Sequence, residues 1–474
     1  MLVDKKLITN VLHNSYSVIL PLIITIVTVP IYLKIIGLER YGVLSVIWLV
    51  FGYFGLFDFG LSRATTHALA KYGKNSSKIK EDIFKTSLWI NLFLGLIAGI
   101  VFFQFSDSLI QTILHKSSAI IDEITRALPL VSLLFPFALI SNVLTGRLEA
   151  EDRFAVLNLI QFFGAILFQI LPLLFVYIFN TNLVSAVGGA VAARIITIVI
   201  LGIVVRKLIN FDIKSSFNWL EGKKLLKFGG WVTITNAISP LLVSIDQLLI
   251  GYLLGAKALP LYSIPFNFAM KALLIPAALT RALFPRMSGY EKEDAAQLAN
   301  QSLAILAGVM ALICAPAIIL IDIALTLWIG PQFASDASDL TRVLLFGVWI
   351  NAIAYIPYSH LQSQGRADLV AKYHAIEIIP FVAILYFFVI KYGLIGAAAA
   401  WSLRVTIDAI LLFNADSSNK LKYSSVYFYF IIVLLSMILT FIFRPGYIIE
   451  LIGAFVAFTV VLLVLLRKIR SFRK

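Results

Sequence analysis

The stretch SLAILAGVMALICAPAIIL (Ser302–Leu320) decides the fold class. It carries no charged side chain, and as a helix rising 1.5 Å per residue it covers about 28 Å, close to the hydrocarbon core of a bilayer. Runs of the same kind recur to both ends of the chain. The apolar stretches place fourteen spans at residues 11–33, 41–61, 86–105, 124–144, 155–178, 183–205, 231–254, 259–283, 302–320, 341–361, 373–390, 394–413, 425–443 and 447–466. The first lacks a small-residue cleavage signature and contains Pro21 and Pro30, so it reads as a retained helix. The expected fold class is an all-α polytopic membrane protein.

Composition agrees. Of 474 residues, 60% are hydrophobic and 14% charged, against about 25% charged in soluble domains. An ordinary cytosolic enzyme is excluded. The longest polar connections, 62–85 and 206–230, leave no room for a soluble catalytic domain. The net charge of +14 suggests nucleic acid until the charges are placed. Of the 39 Lys and Arg residues, 27 fall in alternate connections on one side, with Arg281 at the adjoining end of the eighth span, and 6 on the other. The positive-inside rule then puts both termini in the cytoplasm and accounts for the basic balance without nucleic acid. The lone Cys314 reads as a small core residue.

The chain also looks duplicated. A shift of 218 lays LSRA (Leu61–Ala64) on LTRA (Leu279–Ala282) and pairs Gly37 with Gly255 and Ser45 with Ser263. Further on, RLEAEDR (Arg147–Arg153) faces HLQSQGR (His360–Arg366), and Arg194 faces Arg404, as the shift drifts to 213 and then 210. Ordered matches with a drifting offset point to internal repeats. Six spans per repeat is an even number, so the halves are parallel and related by an axis along the membrane normal. The expected organisation is an N-terminal lobe at 1–210, a C-terminal lobe at 211–420, and two added spans with a basic tail at 421–474. Such transporters bind between their halves near the midplane.

No phosphate loop of the GxxxxGK[ST] type and no HExxH motif is present. Neither a cofactor nor a metal is expected, and the chemistry rests on charges within or beside spans, which are costly there. Lys271 lies midway along the eighth span and is the strongest candidate. Asp246, on the neighbouring span, either pairs with it structurally or shares a ligand site. Arg194 and Arg404 hold matched positions on the sixth and twelfth spans, and Arg404 can be neutralised by Asp408 one turn on. Asp58, Arg63 and Arg281 form a further group at the cytoplasmic ends of the second and eighth spans, with interfacial snorkelling as the plainer reading. Glu377 and Asp322 lie nearer span ends and rank lower. Trp48, Tyr53, Trp231, Tyr262 and Phe266 offer rings for sugar stacking or for lipid.

Two segments, GLFDFGLSRATTHALAKY (Gly55–Tyr72) and IDQLLIGYLLGAKALPLYSIPFNF (Ile245–Phe268), resemble the polysaccharide flippases of the multidrug/oligosaccharidyl-lipid/polysaccharide exporter superfamily. The likeness extends over nearly the whole chain in span count, duplication and loop placement. It implies translocation of an undecaprenyl-pyrophosphate-linked oligosaccharide to the outer leaflet of the bacterial inner membrane, for O-antigen, capsule or a similar polymer. The implied partners are that lipid-linked substrate, membrane lipids, and a polysaccharide polymerase with its chain-length proteins. The related lipid II flippase binds pyrophosphate with basic residues on spans one, two and eight. Here spans two and eight offer Arg63, Lys271 and Arg281, while span one has no mid-membrane cation. The competing functions are an ion-coupled multidrug antiporter and a membrane-bound polysaccharide polymerase.

Overall fold

The computed structural model describes residues 5–52, 60–71, 77–114, 120–208, 217–416, 424–444 and 446–471. All secondary structure among them is helical. The order is α1 (Lys5–Gly52), α2 (Leu61–Lys71), α3 (Ser77–Leu114), α4 (Ile121–Ala150), α5 (Phe154–Ile178), α6 (Leu183–Leu208), α7 (Trp219–Leu254), α8 (Ala258–Lys271), α9 (Leu274–Gly289), α10 (Lys292–Trp328), α11 (Pro331–Ser363), α12 (Ala367–Ala415), α13 (Ser424–Phe443) and α14 (Tyr447–Ser471).

Eleven described helical segments, one of them α8 and α9 taken together, are long and apolar enough to cross a membrane. Two of these are hairpins. In α1 the helical path breaks at Gly37 (φ 80°, ψ 167°), and the rings of Tyr32 and Tyr41 lie 5.8 Å apart, whereas nine residues of straight helix would separate them by about 13 Å. In α12 the break is at Gly393 (φ 60°), and the two arms fold back on each other. With each hairpin counted as two passes and α7 as one, the helices give the fourteen crossings read from the sequence.

Gly37 has a counterpart. Gly255, which ends α7, adopts φ 86° and ψ 175°, almost the same conformation, in a region of backbone space essentially reserved for glycine. The two residues aligned by the 218-residue shift make the same sharp turn. The second match behaves likewise. Arg147 and His360 are both buried at helix ends, Arg147 on Glu81 at 2.8 Å and His360 on both carboxylate oxygens of Asp416 at 2.8 and 2.9 Å.

The described chain forms two compact units, residues Met1–Lys257 and Ala258–Lys474. In the first, α4 packs on α2, α3 and α6, α5 packs on α6, and α7 rests on α2 and α3. The connection after span two contains an amphipathic helix, α2, which turns Leu61, Ala64 and Leu69 into a core with Phe84, Leu144 and Leu148. Asn218 begins α7 by accepting from the N–H groups of Leu220 and Glu221 at 3.0 and 3.4 Å, while its own N–H donates to Thr86 at 2.9 Å. The Arg40 guanidinium grips Glu123 through two nitrogens, and the N–H of Leu183 donates to the same carboxylate at 3.1 Å. That carboxylate joins the α1 turn to the starts of α4 and α6.

In the second unit α11 packs between α10 and α12, and α13 and α14 lie against α10. Cys314 is buried in this core. The indole N–H of Trp349 donates to the carbonyl of Ala307 at 3.1 Å. Arg342 pairs with Asp322 and Asp339, and Arg444 reaches Asp339 at 3.3 Å, fastening the end of α13 to α10 and α11.

Span eight, expected as one helix, is two. The chain leaves α8 at Lys271 and restarts as α9 at Leu274. Pro276 explains the break. A proline inside a continuous helix removes a backbone donor and crowds the carbonyl four residues back, but it is tolerated in a first turn. Restarting at Leu274 puts Pro276 in the first turn of α9.

Candidate functional site

The break places Lys271 at the last residue of α8, exposed on the second unit. A cation suits a helix C-terminus, where the unpaired carbonyls concentrate negative potential. Arg281, also exposed, lies on α9 near Tyr355 of α11. Arg63 is exposed on α2 of the first unit. None of these three forms an ion pair among the described residues. Asp246 is 1% exposed and accepts from the N–H of Gln247 at 2.8 Å. It belongs to the first unit and Lys271 to the second. Asp58 lies outside the described residues.

The matched arginines both meet aromatic rings. Arg194 on α6 sits 5.0 Å above the Phe168 ring of α5, and Trp48 tilts against the same ring at 4.7 Å. Arg404, on the second arm of α12, sits 5.3 Å above Phe381 of the first arm. Phe168 and Phe381 differ by 213 positions and the arginines by 210, the offsets already read in the duplication. Each half thus stacks its sixth-span arginine on a fifth-span phenylalanine. A cation over a ring face gains about 0.5–2 kcal/mol, more where water is excluded.

The surroundings of the two arginines differ. No carboxylate pairs with Arg194 among the described residues. Arg404 lies within a cluster of His374, Glu377 and Asp408. The expected neutralisation of Arg404 by Asp408 is not the contact formed. The return of the α12 hairpin brings Phe381 and His374 of the first arm to this face, and the arginine stacks on the ring of Phe381. Asp408 instead approaches Nε2 of His374 at 3.4 Å. Tyr358 of α11 stacks on the His374 ring, with an interplanar angle of 11°.

Glu377, ranked low from its place near a span end, is the residue the sequence reading undervalued. It is 6% exposed, and neither carboxylate oxygen has a hydrogen-bond partner. The signal was present in the register. About a reversal at Gly393, Glu377 lies sixteen residues before the turn and Asp408 fifteen after, while Phe381 and Arg404 lie twelve before and eleven after. Among the suggested aromatic platforms, Tyr262 and Phe266 stack on each other inside the second unit, with Phe266 edge-on to Trp401. Tyr53 and the side chain of Trp231 lie outside the described residues.

The description "Polysaccharide biosynthesis protein" matches residues 7–291, more than half of the chain. The chain belongs to the polysaccharide biosynthesis protein family. A second description, MatE, matches residues 232–388. A "Putative O-antigen transporter" of Shigella flexneri is 32% identical over 415 residues, covering 86% of this chain and 97% of that protein. An "Uncharacterized membrane protein in cps region" of Klebsiella pneumoniae is 26% identical over 378 residues, 78% of this chain and 74% of the other. In fold, the chain superposes on lipid II flippase MurJ in an inward closed conformation with a TM-score of 0.76 at 13% identity, covering 96% of this chain and 99% of that one. An inward-facing multidrug resistance transporter of the MATE family gives 0.68 at 15% identity, covering 85% and 95%. The protein is a multi-pass membrane transporter of the polysaccharide flippase family within the multidrug/oligosaccharidyl-lipid/polysaccharide exporter superfamily.

Proposed function

We propose that the protein flips an undecaprenyl-pyrophosphate-linked oligosaccharide from the inner to the outer leaflet of the bacterial cytoplasmic membrane by alternating access, with both termini cytoplasmic. The observation that carries this reading is the match to the Shigella O-antigen transporter along nearly its whole length. The site geometry supports it. Lys271 ends a helix interrupted within a membrane span and has no acidic partner among the described residues. An exposed ammonium at that depth is stable only beside water or an anion. Lys271, Arg281, Arg63 and Arg194 supply cations for a pyrophosphate, replacing the hydration the phosphates lose. Asp58, Asp246 and Arg404 complete the charged set. A polymerase and chain-length proteins take the product on the outer face.

The headgroup drives the transport. A pyrophosphate diester carries about two negative charges, and each gains about 2.3 kcal/mol per 100 mV on moving outward across an inside-negative membrane. No nucleotide is required. In proteoliposomes carrying a fluorescent lipid-linked oligosaccharide, flipping should proceed without ATP and accelerate under a valinomycin-imposed potential of the matching sign. Lys271→Ala should abolish it with normal protein abundance, and Lys271→Arg should retain part of it. Recovery in the Asp246→Ala, Lys271→Ala double variant would reassign the lysine to a structural pair. Substrate-stimulated proton or sodium flux without lipid flipping would instead support the antiporter suggested by the MatE match.

A further inference from the structure

Helix α11 is packed by α8, α9, α10, α12 and α13, yet it opens along one line. From Gly347 to Gln362 every residue is buried except Asn351, Tyr355, Tyr358 and Gln362. Their spacing of four, three and four residues puts them on a single helix face. The line runs from the middle of the span to the end expected in the cytoplasm, about 16 Å at 1.5 Å per residue. All four side chains are polar and uncharged. None of them hydrogen-bonds to another described residue.

The stripe has a cation at one edge and an aromatic brace at the other. Arg281 of α9, exposed and without an ion pair among the described residues, approaches the Tyr355 phenol, and Tyr358 lies beside it. The Tyr358 ring stacks on His374 of α12, which fixes its orientation. The first unit carries a simpler version. At the 213-residue offset, Asn142, Thr145 and Glu149 of α4 stand where Tyr355, Tyr358 and Gln362 do, and they too are half-buried polar groups among buried neighbours. The rings are present in the second unit and not in the first.

Lipid does not suit this stripe. Amide and hydroxyl groups without partners are costly in hydrocarbon, and the exposed residues of the same unit that do suit lipid are apolar, among them Ile376, Ile379 and Phe387 on α12 and Leu435 and Leu439 on α13. Amides and phenols both donate and accept. The matching ligand is therefore neutral and rich in hydroxyls, and is joined to an anion that Arg281 can take. A drug cation would call for a carboxylate in the stripe, and the stripe has none. We propose that Asn351, Tyr355, Tyr358 and Gln362 form a sugar-binding track on α11, which takes the hydroxyls of a lipid-linked oligosaccharide while Arg281 holds its phosphate end. The track rests on the substrate reading above and adds the side chains that recognise the sugar.

Binding to the full-length protein in nanodiscs tests the track with two probes: the lipid-linked oligosaccharide purified from cells lacking the polymerase, and undecaprenyl pyrophosphate without sugar. The wild type should bind the sugar-bearing lipid more tightly. Asn351→Leu and Tyr358→Phe keep the bulk of the side chain and remove its polar group. Each should weaken binding of the sugar-bearing lipid about two- to tenfold, the scale of one lost hydrogen bond, and leave binding of the sugar-free lipid unchanged. Unchanged binding of that second probe also shows that the variant is folded. Equal loss with both lipids, or no loss with either, would overturn the track, as would a wild-type protein that binds the two lipids alike. The flippase reading would survive all three results. A wild-type protein that binds neither lipid would overturn that reading, and the track with it.

Discussion

Arg194 in the first unit and Arg404 in the second are the same feature in two settings. Both stack on a phenylalanine of the preceding span, at 5.0 and 5.3 Å. The residues that surround Arg404 have apolar or neutral counterparts around Arg194: Ile198 at the position of Asp408, Gly164 at that of Glu377 and Gln161 at that of His374. Gly164 packs directly on Thr197 of α6, which leaves no room there for a glutamate. Duplication kept the arginine and its ring while the acidic neighbours diverged. One copy presents a positive charge without an acid beside it, and the other holds a nearly balanced, titratable group. A guanidinium without an acidic partner is the better anion ligand, since no internal carboxylate competes for its donors.

The largest expected effect separates the two arginines by kind. Arg194→Ala should abolish polymer display in cells with protein abundance unchanged. Arg404→Ala should instead lower abundance, because removing one member of a buried charged group costs about 3–5 kcal/mol. Adding Glu377→Gln to Arg404→Ala should restore abundance, as read by immunoblot and thermal unfolding. Equal loss of abundance in both single variants would erase the distinction.

A transplant makes a sharper comparison. Ile198→Asp places a carboxylate one turn after Arg194, as in the second unit, and should cut the flipping rate at least tenfold. Ile198→Asn, similar in shape but neutral, should retain most of the rate. If both variants behave alike, the effect belongs to packing and not to charge.

The two glycine turns should respond equally. Gly37→Ala and Gly255→Ala each force a side chain into backbone space that only glycine occupies readily, at about 1–3 kcal/mol. Their losses in unfolding temperature should agree closely if the turns are true repeats. The smallest effect is at the rings. Phe168→Leu and Phe381→Leu keep most of the volume and lose the ring face, about 0.5–2 kcal/mol, measured as reduced stability with transport retained.

Topology needs probes chosen from the structure. Gly222 and Ala334 lie in connections expected on opposite sides of the membrane, but a side chain at Gly222 would abut Ile90 and Thr86, and Ala334 is buried. Lys224→Cys and Ser335→Cys are exposed. The first should label only with reagents that reach the cytoplasm and the second from outside.

Hydropathy alone determined the membrane class and the fourteen passes, because a helix that crosses lipid must be apolar for its full length wherever it falls in the chain. The drifting offset determined the duplication, and the Gly37–Gly255 pair followed from it because that turn admits essentially one residue type. The tertiary structure decided the rest. Pro276 lies five residues after Lys271, yet only the folded chain reveals that the helix yields there and leaves the lysine at an end. Asp408 is one turn from Arg404 in sequence, but the return of the α12 hairpin brings His374 to it. Hydropathy constrains each residue against its solvent and is legible along the chain. Charge pairing depends on which side chains meet across a turn, and that is fixed only when the helices pack.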